Sequence, residues 1–361
     1  MPPVTVYYHA DCLDGFGAAY AAWRRFGNAA CYRPMHHGEP WHAAEIDGHA
    51  VHILDFSFPA EQLTDMATHA ASVTQIDHHA SARAPWSGRL QPTTSGAEEF
   101  RDAERRLHLR FDLGKSGARL AWEFFHPDRP LPPALAHIED QDLWRFALPG
   151  TRAFCRALRL LPFAFADWDA MVRATTDADA PGYARMLADG GAIEGYFRRE
   201  VERLADGRLA MPARLRGEPV DAMQALRHGQ AVLGDGERCW LAVEGIAVNA
   251  NVLFASELGH LLAERSGSFG LIWQISGDGE AKVSLRSQGD FDVAAIAVRY
   301  GGGGHRNAAG FRLPAGQFLE EVLGMVPGKG LEPPRLAAPE PKSGASTNFA
   351  TRAGGANSST D

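Results

Sequence analysis

An acid and two neighbouring imidazoles, Asp77, His78 and His79, stand at the end of the apolar run Val73 to Ile76. Adjacent side chains on extended backbone point to opposite sides, so two consecutive histidines can serve two different partners. The same residue types recur earlier: His9, Asp11, Cys12 and Asp14 follow Val4 to Tyr8, and Asp55 follows Val51 to Leu54. Carboxylates mixed with imidazoles suit divalent ions of borderline hardness such as Mn²⁺, Co²⁺ or Fe²⁺, whereas all-oxygen sets suit Mg²⁺ or Ca²⁺. Two such ions roughly 3.5–4 Å apart acidify water and offset charge on a phosphoryl group. Each residue alone has a blander role, because an Asp or His at a strand end commonly closes a turn. Capping draws on Ser and Asn as readily as on His, so recurrence in separate segments favours ligation. The pair Asp140 and Asp142 in HIEDQDLW offers a further acid. Cys12 is either a soft ligand or a small buried residue, the commoner role of a free cysteine.

A second group of residues suits anions. In RYGGGGHRNAAGF the run Gly301 to Gly304 has no side chains to stabilise a helix or strand interior, and it lets backbone N–H groups approach a phosphate closely beside His305. The bland alternative is a flexible surface loop, which requires neither the histidine nor the small residues after it. Arg286, in SLRS, is either a solvated surface charge or a bidentate partner for phosphate. LGKSG at 113–117 is a decoy: a P-loop requires a glycine at the position of Leu109.

These residues need elements to hold them. Val4 to Tyr8, Ala30 to Arg33, Val51 to Leu54 and Val73 to Ile76 read as short strands separated by helix-length segments such as Gly15 to Phe26. Strands alternating with helices imply an α/β fold with a doubly wound, mainly parallel sheet, whose carboxyl edge is where ligands sit. Helices are expected over 116–127, over 133–145 and through most of 165–206, the last a connector. After Gly207 shorter apolar runs and a Gly-Asp-Gly turn in LIWQISGDGEAKVSLR predict a smaller α/β domain with a hairpin. The expected boundaries are 1–206, 207–326 and a disordered tail over 327–361, rich in Pro, Gly, Ser and Ala.

Composition narrows the function. With 361 residues, 45% of them hydrophobic, two cores are affordable. A formal net charge of −8 supplies no field for a long duplex nucleic acid, which leaves short anionic substrates. Four scattered cysteines without CxxC spacing argue for reduced thiols, and no basic segment precedes an apolar core, so a soluble, cytoplasmic protein without membrane span is expected.

With HADCLDGFGAA, LDFS, IDHHA, EDQDLW, SLRS and GGGGHRNAAGF in this order, residues 4 to 315 resemble the DHH phosphoesterase superfamily with a DHH-associated C-terminal domain. The resemblance implies an active site in the cleft between two domains. It implies that His9, Asp14, Asp55, His78 and Asp140 ligate two Mn²⁺-type ions, with Mg²⁺ or Co²⁺ as alternatives and Asp55 bridging. Asp77 would support the cluster and His79 would face the phosphate or leaving group. Arg286, Gly302, Gly303, Gly304 and His305 would bind substrate, a short oligonucleotide or small nucleotide, and a homodimer is compatible with the family. One departure stands out: where many relatives carry an acid this chain has Cys12, with Asp11 one residue earlier, and Asp142 competes with Asp140 for the fourth motif. The first and fourth motifs look most like the branch of nano-RNases and cyclic-nucleotide phosphodiesterases. A phosphatase for 3'-phosphoadenosine 5'-phosphate, or a weakened nucleotide sensor, is the alternative.

Overall fold

A computed structural model describes residues 2–228, 230–234 and 238–325; the tail expected to be disordered lies outside them. The first sheet has seven strands: β1 (Val4–His9), β2 (Ala30–Met35), β3 (Ala50–Leu54), β4 (Ser72–Asp77), β5 (Gln91–Pro92), β6 (Glu98–Asp102) and β7 (Leu107–Phe111). Their order is β2-β1-β3-β4-β7-β6-β5, parallel from β2 through β7, with β6 and β5 added antiparallel at one edge. Alternation along each strand feeds two cores. Val6, Tyr8, Leu54 and Ile76 face helices α1 (Leu13–Phe26) and, further along the chain, the helix Gly117–Phe125. Tyr7, Ile53, Val73 and Leu109 face the opposite side, where Leu63 and Met66 of α2 (Ala60–His69) pack. A sheet covered on both faces is the doubly wound arrangement expected, and it delivers β1, β2, β3 and β4 to one carboxyl edge.

The helix Gly117–Phe125, α3, is capped by Ser116, whose hydroxyl accepts from the Arg119 N–H. Next come α4 (Pro133–Asp142), α5 (Thr151–Leu158), α6 (Phe165–Ala174) and α7 (Pro181–Leu204). Helix α4 stops short of residue 145 because Trp144 and Phe146 take left-handed backbone angles, φ 55° and 48°. The stretch expected to be mostly helical holds two helices, α6 and α7, with a break at 175–180.

The second sheet comprises β8 (Ala210–Pro219), β9 (Val232–Gly234), β10 (Cys239–Asn249), β11 (Phe269–Ile275), β12 (Glu280–Ser287), β13 (Gly303–His305) and β14 (Ala308–Pro314). The order is β13-β14-β12-β11-β10-β8, with β9 beside β10. The hairpin read from the sequence is β11 with β12, turning at Gly279, φ 83°. Helix α8 (Ala255–Ser266) covers one face through Leu258 and Leu262, against Phe197 and Val201 of α7. Helix α9 (Val293–Val298) covers the other through Val293 and Ile296, against Leu285 and Phe311. The glycine run contains a strand after all: Gly303 and Gly304 belong to β13, a three-residue edge strand paired with β14. Arg156 of α5 joins the two parts, donating to Glu194 of α7 at 2.9 Å and to Glu257 of α8.

Candidate metal centre

The site is built where β1, β3 and β4 end. His9 closes β1, Cys12 precedes α1, and Asp14 lies in that helix's first turn. The Asp14 carboxylate accepts from the Gly117 N–H at 2.6 Å and the Ala118 N–H at 2.9 Å, so it is held at the positive end of α3. Two glycines make this closeness available. A Cβ on Gly15 would lie 2.2 Å from the His9 carbonyl oxygen, and one on Gly117 would lie 2.5 Å from the Asp55 Cβ. Asp55 itself has φ 51°, a left-handed conformation that Asp tolerates better than most residues and that costs about 1–3 kcal/mol. Its N–H still donates to the Ile76 carbonyl at 3.0 Å, which continues the ladder while the side chain turns over the sheet edge.

Charge is concentrated around one imidazole. His78 Nε2 lies 3.1 Å from Asp55 Oδ1, 3.6 Å from Asp14 Oδ2 and 3.6 Å from Asp142 Oδ2. His9 Nδ1 lies 3.7 Å from Asp55 Oδ2. Asp14, Asp55 and His78 are buried, whereas the Asp142 side chain keeps 28% of its surface open. Burial disfavours a His78 cation, yet Asp55 beside it and the charges of Asp14 and Asp142 outweigh that and hold it protonated up to about 10. Burial and the Asp55 and Asp142 charges push Asp14 up, and burial and Asp55 push Asp142 up to about 6. Asp55 goes the other way: His78 and His9 overcome its burial and keep it ionised. The cluster thus retains protons because its negative charge exceeds what two imidazoles offset, which a divalent cation would relieve.

The donor set fits such ions. His9, Cys12 and Asp55 form one group, and Asp14, His78 and Asp142 another, with ligand atoms in each group within 4.8 Å of one another. Asp55 touches both groups through His9 and His78. Asp55 Oδ1 and Asp77 Oδ2 are buried yet accept no hydrogen bond, a costly state for carboxylate oxygens and an apt one for metal ligands.

Asp77 positions the histidine pair. Its Oδ1 lies 2.6 Å from His79 Nδ1 and accepts from the His78 N–H at 2.7 Å. With Nδ1 held, His79 presents Nε2 outward, and Asp77 raises its pKa against the effect of burial. The His305 ring, from β13 of the second sheet, stacks on His79 with centroids 4.6 Å apart. Burial and the two facing histidines push His305 down to about 4, so it meets His79 as a neutral ring.

The remaining candidate residues have contacts of their own. The carboxylate of Asp140 points away from the cluster: it accepts from the Ala147 and Leu148 N–H groups at 2.7 and 3.0 Å and from the Thr151 hydroxyl at 2.5 Å. Asp142, two residues on, takes the place beside His78. Asp11 faces outward, 84% exposed, 3.7 Å from His36. Arg286 donates to the Leu285 carbonyl and the Ser256 hydroxyl within the second domain rather than facing the histidines. Gly302, Gly303 and Gly304 lead into His305, and a Cβ on Gly304, φ 142°, would lie 2.5 Å from the Ala308 carbonyl. One residue escapes sequence reasoning: His37, whose ring contacts those of His9 and Phe56 at 5.5 and 5.1 Å. Its signal was the doublet His36-His37 just after β2, which the sheet order sets beside β1. His37, Phe56, Ser57 and Ser81 line a cleft of about 460 Å³ next to the cluster. A larger cavity of about 800 Å³, lined by Arg214, Val232 and Glu321, includes none of these site residues.

A match to the DHHA1 domain covers residues 249–327. The uncharacterized protein R106 of Acanthamoeba polyphaga mimivirus is 26% identical over 330 residues, 84% of this chain and 66% of that protein. Among solved structures, RecJ from Thermus thermophilus in complex with Mn²⁺ aligns with TM-score 0.41 and 15% identity over 88% of this chain and 50% of RecJ. PggH of Vibrio cholerae, a pGpG-specific phosphodiesterase, aligns with TM-score 0.39 and 12% identity over 87% of this chain and 94% of PggH. The chain therefore spans about half the length of RecJ and just under two thirds of the mimivirus protein. The chain thus carries a DHHA1 domain over residues 249–327, which span β11 to β14 of the second sheet, while the DHH-type motifs of the sequence lie at the edge of the first.

Proposed function

We propose that this chain is a metal-dependent phosphoesterase that hydrolyses phosphodiester bonds of short oligonucleotides or small nucleotides. The observation that carries the proposal is the crowding of the Asp14, Asp55 and Asp142 carboxylates around His78, 3.1–3.6 Å away, with a histidine of the second domain stacked alongside. His9, Cys12 and Asp55 would hold one divalent ion and Asp14, His78 and Asp142 a second, with Asp55 between them. Mn²⁺ is the ion we assign to the Asp14, His78 and Asp142 group by donor type, since its donors are oxygen and imidazole nitrogen. Bound there, the ions acidify water and offset phosphoryl charge.

The chain's own residues do the rest. Asp55 and Asp142 fix the acidic edge against which a phosphate is approached from the cleft. Asp77 holds His79 in one orientation and favours its cationic form, so Nε2 is set to donate to a phosphoryl or leaving-group oxygen. His305 stacks on the His79 ring and would shield that face from water. The net charge of −8 favours short substrates over long ones. Asp55→Asn tests the role of the central carboxylate, because Asn tolerates the same left-handed backbone. Cleavage of a dinucleotide should fall to background while the thermal unfolding midpoint stays within a few degrees; retained turnover would remove Asp55 from its central role.

A further inference from the structure

The donor set contains one atom that sets its two halves apart, and the inference drawn from it rests on the metal-centre reading above. Cys12 occupies the N-cap of α1 with extended backbone, φ −117° and ψ 136°, where Ser, Asn or Asp usually accepts a hydrogen bond from the helix's first turn. Its side chain makes no such cap bond. Its sulfur instead groups with donor atoms of His9 and Asp55, all within 4.8 Å. Asp55 is 2% exposed, and its buried Oδ1 makes no formed hydrogen bond, with the ion-pair approach of His78 Nε2 at 3.1 Å beside it, so the carboxylate shared with this group keeps capacity for a cation.

Cys155 shows what a structural cysteine looks like here: it is fully buried within the apolar core that contains Phe154 and Leu158. Cys12 does not belong to that core although its neighbour Leu13 does. Among the described residues, Cys31, Cys155 and Cys239 join no acid and imidazole group.

We propose that Cys12 binds, as a thiolate, the divalent ion held by His9 and Asp55, so that this half of the centre selects a thiophilic ion such as Co²⁺, Zn²⁺ or Fe²⁺ over Mn²⁺ or Mg²⁺. The other half, Asp14, His78 and Asp142, offers only oxygen and nitrogen donors and keeps the preference for Mn²⁺. Ligation breaks the S–H bond as the S–metal bond forms; both bonding electrons stay on sulfur and the proton leaves to solvent, with no change of oxidation state. The centre is then a mixed one, with halves of different hardness that load with different ions.

The test is a Co²⁺ titration of the full-length, metal-stripped protein under anaerobic conditions, followed by near-ultraviolet absorption. A thiolate-to-cobalt charge-transfer band should grow in with bound Co²⁺, persist in Cys31→Ser, and vanish in Cys12→Ser and Cys12→Asp. Competition calorimetry should show Cys12→Asp shifted toward Mn²⁺ on the order of 10–100-fold, at least what loss of a supporting group costs a metal site. If the Cys12 variants fail to fold, a band that persists in Cys31→Ser, Cys155→Ser and Cys239→Ser assigns the thiolate to Cys12, and loss of the band in any of these three overturns it. Bound Co²⁺ without the band, or a band that survives Cys12→Ser, overturns thiolate ligation and leaves the two-metal reading intact. No binding of Co²⁺ or Mn²⁺ at all overturns both.

Discussion

Asp140 and Asp142 lie two residues apart in the last turn of one helix, yet the contacts give them different tasks. Asp140 collects three donors, so Asp140→Ala leaves two N–H groups and a hydroxyl without their acceptor and should cost roughly 1–3 kcal/mol, with the binding stoichiometry for divalent ions unchanged. Asp142→Ala should do the reverse, lowering metal affinity with little change in the unfolding midpoint. Calorimetric titration beside thermal unfolding separates the two, and an exchange of phenotypes would return Asp140 to the site. Sequence alone leaves this choice open because residues at i and i+2 face different sides of a helix, and which side meets the site depends on packing. Asp77→Asn makes a companion case: it should keep a polar group beside the His78 and His79 amides but remove the charge that favours a cationic His79. Turnover should drop on the order of 10–100-fold, as for loss of an orienting partner, with metal content preserved.

At the scale of elements, the parallel sheet makes most of the site legible. A strand end followed by His or Asp becomes a site residue when parallel neighbours bring their ends to the same edge, which is where His9, Asp55 and His78 meet. Strand order is not written in local pattern, so β2, and with it His37, was not read as a neighbour of β1. The antiparallel pair β5 and β6 escaped for the related reason that its strands are short and exposed or half-buried. Glycines mark where helices are drawn close to the ligands. Gly117→Ala should destabilise by about 1–3 kcal/mol through overpacking against Asp55, and it should weaken metal binding in the same variant. A variant of wild-type stability with unchanged metal affinity would show that the approach of α3 to β3 is not what sets Asp55 in place.

Across the whole molecule, the two parts touch through Arg156 of α5 with Glu257 of α8 and through the His79 and His305 rings. Of the glycine run expected to approach a phosphate, Gly303 and Gly304 belong to an edge strand that also holds His305. His305 docks as a neutral ring with its pKa lowered to about 4, against about 6.5 for a free imidazole. The docked state therefore binds fewer protons, so docking is at full strength above about pH 6.5 and weakens as the pH falls from there toward 4. Small-angle scattering across that range should show the wild type opening at acidic pH and His305→Gln losing that dependence; an unchanged profile in the variant would assign the opening to other groups. No described helix is long and apolar enough to cross a membrane.

The measurement closest to the central claim is mononucleotide release from a panel of dinucleotides, a longer oligonucleotide, cyclic mononucleotides, 3'-phosphoadenosine 5'-phosphate and pyrophosphate, each with Mn²⁺, with Mg²⁺ or with chelator. The account predicts metal-dependent cleavage with the dinucleotides fastest and no product under chelation. Absence of turnover on every substrate, with divalent ions verified at the His9 and His78 groups, would contradict it.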